Sequence, residues 1–189
     1  MNATNTREMI MSVARRTVQA HGYNALSFRD LAAEVGIKSA SVHYHFPTKG
    51  DLGAELARRY TEDGRAYLSD VISGNNDLRS CMKKYTDIFR SALIDDNRMC
   101  LCGIMTAEHD DLPPEVRAEV NRFNEVNIDW LTELLSLEVS DPKQKKAVRR
   151  RALGIFAAVG GAQLIARGQN DVTVYDDVIE SYRAAGLIP

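Results

Sequence analysis

Between residues 5 and 21 the apolar positions recur at three- and four-residue steps: Ile10, Val13, Ala14, Thr17 and Val18 form one stripe, with Arg15 and Arg16 between them. A period near 3.6 residues with a single apolar face predicts an amphipathic helix, and Gly22 is a fitting stop for it. The pattern resumes in SFRDLAAEVG, where Phe28, Leu31, Ala32 and Val35 make the stripe. Ser27, three residues before Asp30, predicts an N-terminal cap, a shortened relative of the capping box. Gly36 ends this second helix and permits a tight turn. A short third helix is predicted over 39–45, and Thr48 with Asp51 starts a fourth that runs to about residue 72. Further helices are predicted over 78–95, 99–109, 114–137, 143–168 and 174–185, separated by Gly74-Asn75-Asn76, Pro113-Pro114, Asp141-Pro142 and Gly168. No strand-like alternation is sustained and no repeat appears, so the chain reads as all-α.

A helix of about nine residues, a glycine turn and a second short helix over 27–46 have the length and order of a helix-turn-helix, which offers its second helix to the DNA major groove. Phe28, Leu31, Ala32, Val35, Ile37, Val42 and Phe46 face inward, closing on Ile10, Val13 and Val18. Burying such side chains contributes roughly 1.5–3 kcal/mol each, enough to hold a small three-helix head together. Lys38, Ser39, Ala40, Ser41, His43, Tyr44 and His45 then face outward. The small residues let the helix backbone approach a duplex closely. The rings supply hydrogen bonds to phosphates and flat faces for base edges and thymine methyls. His43 and His45, two apart on a helix, point to nearly opposite sides, and neither has a cysteine or acidic partner four residues on, so a metal site is not expected.

Charge supports the same end of the molecule. Residues 1–50 carry Arg7, Arg15, Arg16, Arg29, Lys38 and Lys49 against Glu8, Asp30 and Glu34, a balance of +3, while the whole chain is at −2. A basic head on an acidic body suits a polyanion-binding end. At 189 residues and 44% hydrophobic content, the chain can bury a core as one domain or two small ones. No window approaches the ~20 apolar residues of a membrane span, and no signal peptide is evident. The odd number of cysteines, Cys81, Cys100 and Cys102, argues against a secreted disulfide framework, so a cytoplasmic protein is expected. No nucleophile–base motif, phosphate loop or metal spacing points to an enzyme. His109, within EHDDLPP, reads as a solvated helix end.

The order of a first helix, SFRDLA and then VGIKSASVHYHFPTKGDL closely resembles, over residues 7–56, the N-terminal DNA-binding head of the TetR family of transcriptional regulators (TetR/AcrR-type). The remaining residues resemble that family in being helical and of the right length. The resemblance implies a DNA-binding domain over 1–50 and an antiparallel helical-bundle domain over 51–189 for ligand binding and dimerisation. It implies a homodimeric repressor, without a cofactor, that leaves a palindromic operator when a small molecule binds. Ser27 and Arg29 fall on phosphate-contacting positions of the family. Ser39, Ser41, His43 and Tyr44 fall on recognition positions, and Tyr44, His45 and Lys49 on positions used for the backbone. The family usually carries tyrosine where this chain has His43. A dimer is also expected on physical grounds, because two heads about 34–36 Å apart read a palindrome that one head cannot.

In the family the last two long helices form the dimer interface, and Gly160-Gly161 would suit close packing there. Packing within one subunit is the alternative. Tyr85, Ile88, Phe89, Met99, Cys100, Met105, Phe123, Asn127, Trp130 and Leu134 are the candidate pocket residues, although such stripes also serve as plain core. Arg98 just before Met99-Cys100-Leu101-Cys102-Gly103 predicts a thiol of lowered pKa at a helix start. This opens a second reading, in which Cys100 is the input of a redox- or electrophile-sensing repressor. An activator or an architectural DNA binder is a further alternative.

Overall fold

The computed structural model describes residues 3–74, 77–137, 139 and 144–189. Nine α-helices follow one another among these residues: α1 (Ala3–His21), α2 (Phe28–Val35), α3 (Ser39–His45), α4 (Lys49–Ser73), α5 (Leu78–Ile94), α6 (Leu101–Ala107), α7 (Pro114–Ser136), α8 (Lys145–Gln169) and α9 (Val172–Ala184). The fold is all-α, as the hydrophobic period requires. Two single 3-10 turns, Tyr23–Ala25 and His109–Asp111, were not foreseen. The second replaces the end of the helix expected over 99–109. The breaks expected at Asn75-Asn76 and Asp141-Pro142, and the helix start expected at residue 143, lie outside the described residues. None of the described helices is long and apolar enough to cross a membrane.

Contacts group the chain into two compact units, residues 3–61 with Cys100–Phe123, and Glu62–Met99 with the described residues after Phe123. In the first unit, local chemistry sets each helix end. The Ser27 hydroxyl accepts the Asp30 N–H at 3.4 Å. Gly36 closes α2 in the left-handed region at φ 77, its N–H directed to the carbonyls of Ala32 and Ala33. Thr48 and Asp51 cap α4 reciprocally: the Thr48 N–H donates to Asp51 Oδ2 and the Asp51 N–H to Thr48 Oγ1, both at 3.0 Å. Such caps contribute about 1 kcal/mol each. Ile10, Ala14, Val18, Leu31, Val42, Phe46, Leu52 and Ala57 form the core of the head, while Phe28 and Ile37 stay half-buried at its edge. Val42 and Phe46, at 0% and 2% exposure, seat α3 from below.

In the second unit α8 packs against α9 and α5. Its buried face carries Ile155, Val159, Ala162, Gln163 and Ala166. Gln163 and Tyr175 are satisfied across helices: Gln163 Nε2 donates to the Phe89 carbonyl at 2.7 Å and the Tyr175 hydroxyl to that of Thr86 at 2.8 Å. Trp130 Nε1 donates to Leu68 O at 2.8 Å. Each would cost about 1–3 kcal/mol if left unpaired. Arg90 grips Asp176 with two bonds of 2.6 and 2.7 Å, tying α5 to α9.

Candidate nucleic-acid interface

The residues expected to face outward from α3 differ in exposure. Lys38, Ala40, His43 and Tyr44 are exposed, and Ser39, Ser41 and His45 are half-buried. Lys38 occupies the N-cap position with extended backbone, and no side chain caps the first turn. Lys38 makes no ion pair among the described residues. Tyr44 is 80% exposed, with its ring edge-on to that of His45 at 5.2 Å. His43 Nδ1 lies 3.4 Å from the Pro47 carbonyl, and its ring meets Phe28 edge-on at 4.8 Å. A hydrogen bond there puts the proton on Nδ1, which leaves Nε2 as an acceptor suited to an amino group on a base edge.

At the flanks, Ser27 is occupied with the cap of α2. The Arg29 side chain is 88% exposed and shares only a solvated pair with Asp30 at 3.2 Å, worth little by itself and easily exchanged for a phosphate. Lys49 is more constrained than expected. Its ammonium donates to the Asn24 carbonyl at 3.2 Å and sits 4.6 Å from the centre of the Tyr23 ring. Burial lowers its pKa, an effect the Glu108 charge opposes. An ammonium has three donors, so two remain for a phosphate. Sequence reasoning missed this bracket of Tyr23, Asn24 and Glu108, because its parts are far apart in the chain.

The candidate pocket residues are buried, except Ile88, which is half-buried, and they divide between the two units. Cys100, Met105 and Phe123 belong to the first, and Tyr85, Phe89, Met99, Asn127 and Trp130 to the second. In the second unit, Tyr85 stacks on Trp130 at 5.3 Å, touches Phe89 at 5.3 Å, and donates to Asn127 Oδ1 at 3.3 Å. Two clefts in the same unit, of about 370 and 620 Å³, are lined by other residues.

The activated thiol expected at Cys100 is corrected by the structure. Burial pushes the Cys100 thiol up, against hydrogen bonds from the Gly103 and Cys102 backbone and from Tyr60 that favour the thiolate. Cys102 is raised well above the usual thiol value by burial and by neighbouring Cys100 and Glu119. Arg98, the cation thought to activate it, is engaged with Asp95 at 2.7 Å and Asp96 at 3.8 Å. All three cysteines are buried, and none is joined in a disulfide among the described residues. With an aromatic disulfide reagent near neutral pH, the native protein is expected to react on the order of a hundredfold more slowly than in denaturant. A fast reaction at Cys100 would reinstate the sensing role.

The model for bacterial regulatory proteins of the tetR family matches residues 10–56. The chain is similar to the HTH-type transcriptional repressor AcnR of Corynebacterium glutamicum, with 36% identity over 72 residues. That match spans 38% of this chain and 36% of the repressor. A TetR transcriptional regulator from Legionella pneumophila superposes with a TM-score of 0.89 at 34% identity, covering 100% of both chains. A TetR-family regulator from Agrobacterium tumefaciens superposes at 0.84 with 27% identity over 94% of this chain and 95% of that one.

Proposed function

Since the chain belongs to the TetR family of bacterial transcriptional regulators, we propose that it is a homodimeric, cytoplasmic repressor which grips a palindromic operator with α3 of each subunit and releases it when a small molecule enters the helical body. The observation that carries the DNA-binding half is the outer face of α3. Tyr44 is 80% exposed while Val42 beneath it is fully buried. A helix so firmly seated, presenting rings, hydroxyls and a free cation to solvent, is built to meet a surface rich in acceptors.

The dimer has its own support. A Cβ added at Gly160 or Gly161 would meet no side chain or other element within 4 Å among the described residues, so no contact there explains these two glycines inside α8, each costing about 1 kcal/mol against alanine. Leu153 and Leu164, 51% and 60% exposed, continue the same face of α8. Close approach of α8 from a second copy would account for both features, in the isologous manner of a two-fold dimer. For the effector, the Tyr85–Trp130–Asn127 cluster favours a small, largely apolar or aromatic molecule with one hydrogen-bonding group. Its binding shifts a population: α4 is one helix from Lys49 to Ser73, and a ligand preferring the geometry in which the heads no longer match the operator releases it by several kcal/mol of differential affinity.

The test is fluorescence anisotropy on DNA from immediately upstream of the protein's own gene, against random DNA, over a range of salt. Operator affinity is expected to exceed random affinity by about a thousandfold or more. Lys49→Ala should weaken binding to all sequences and lower the salt slope by about one, whereas Tyr44→Phe retains the ring and tests its hydroxyl alone. Absent or salt-independent binding to any DNA would remove the reading.

A further inference from the structure

We infer that Glu108, in the connection between α6 and α7, is a positioning residue for DNA binding: its carboxylate clamps the turn at Tyr23–Ala25, and that turn holds Lys49 ready for a phosphate. The inference rests on the DNA-binding reading above and deepens it. The Tyr23 N–H donates to Glu108 Oε2 at 2.6 Å and the Asn24 N–H to Oε1 at 3.2 Å. Asn24 Nδ2 donates to Asp111 Oδ2 at 2.8 Å, a second hold from the same connection. The other side of the turn carries the lysine: Lys49 Nζ donates to Asn24 O at 3.2 Å and lies over the Tyr23 ring. One short turn therefore has a carboxylate on its N–H groups and an ammonium on its carbonyl and its ring.

The fit around the clamp is tight. Gly22 sits at φ +86, and a Cβ there would lie 2.6 Å from Glu108 Oε1, so the carboxylate fills the space a side chain would need. At the start of α4 the Glu115 carboxylate takes the place of a Cβ on Gly50 in the same way. The Glu108 charge favours the Lys49 ammonium but opposes the DNA. A carboxylate beside a phosphate-binding edge repels the DNA, and neutralising it should strengthen binding. A carboxylate that holds the lysine in place has the opposite sign: neutralising it frees the turn and loses the oriented donor. An oriented, charge-assisted contact is worth roughly tenfold in affinity, and losing it should reduce the salt slope by about one.

Glu108→Gln, Lys49→Ala and the double variant would be titrated with operator and random DNA over a range of salt. Glu108→Gln is expected to weaken binding about tenfold on both DNAs, despite removing a negative charge, with a slope smaller by about one. In the Lys49→Ala background the same substitution should cause no further loss. Tighter binding by Glu108→Gln, unchanged binding, or a loss that persists in full without Lys49 would overturn the inference while the DNA-binding reading stands. Failure of the wild type to bind any DNA overturns both. If Glu108→Gln melts well below the wild type, Asp111→Asn loosens the same turn through the Asn24 side chain, and the same dependence on Lys49 decides.

Discussion

If the proposed dimer forms through α8, replacing Leu164 by glutamate is expected to make the regulator monomeric and to lower its operator affinity by about a thousandfold. Leu164 is 60% exposed in the subunit, so the substitution touches no core and should leave folding within about 0.5 kcal/mol of the wild type. The loss falls on association. In a two-fold dimer each copy brings the same residue to the interface, so a single substitution places two carboxylates on the face formed by Leu153, Gly160, Gly161 and Leu164 of α8. Burying an unpaired carboxylate there costs several kcal/mol. A monomer keeps α3 intact and still binds DNA through phosphates. It forfeits the second half-site, which in the dimer arrives at an effective concentration near the millimolar range. Light scattering on the eluting protein reads the first effect and anisotropy on operator DNA the second. A variant that stays dimeric and keeps its affinity would exclude this face of α8 from the interface.

Features that need only a few neighbouring residues were visible in the sequence. Ser27 with Asp30, Thr48 with Asp51, and Gly36 each act within a helical turn. The helix ends they predict agree with the structure to within a residue, and the outward set on α3 follows from the inward pair Val42 and Phe46. Features that depend on distant partners were not visible. Glu108 meets Tyr23 across 85 positions, and nothing in EHDDLPP distinguishes a clamp from a solvated helix end. The thiol at Cys100 looked activated because Arg98 is near in sequence. Its pKa is set instead by burial, which arises from tertiary packing. The candidate pocket had the same difficulty. Aromatic and methionine positions mark buried faces, but periodicity does not say to which of two cores a face belongs, and Phe123 and Trp130, seven apart on α7, fall in different units.

Two glycines of α4, Gly53 in the DNA-binding head and Gly64 beyond it, make the strongest test of packing, because equal chemistry should have opposite outcomes. Alanine in place of glycine inside a helix normally stabilises by about 1 kcal/mol. Beyond its own helix backbone, no atom of the described residues lies within 4 Å of where a Cβ on Gly64 would stand, and Gly64→Ala is expected to gain that amount, raising the melting temperature by about 2–4 °C for a chain of this size. At Gly53 a Cβ would lie 2.6 Å from Tyr23 Cε2 and 3.1 Å from Val116 Cγ2. Tyr23 is only 3% exposed, with its hydroxyl pKa pushed up to about 12 chiefly by burial, so its ring has little room to yield. Gly53→Ala is therefore expected to lose about 1–3 kcal/mol by overpacking, and a larger residue more. The displaced ring is the one beneath the Lys49 ammonium, so operator affinity should fall as well, although Gly53 offers DNA no side chain. Thermal melts of the two variants side by side decide the sign. Equal stabilisation by both would mean that the head can open around Tyr23, and that α4 is held there more loosely than the close approach of Gly53 requires.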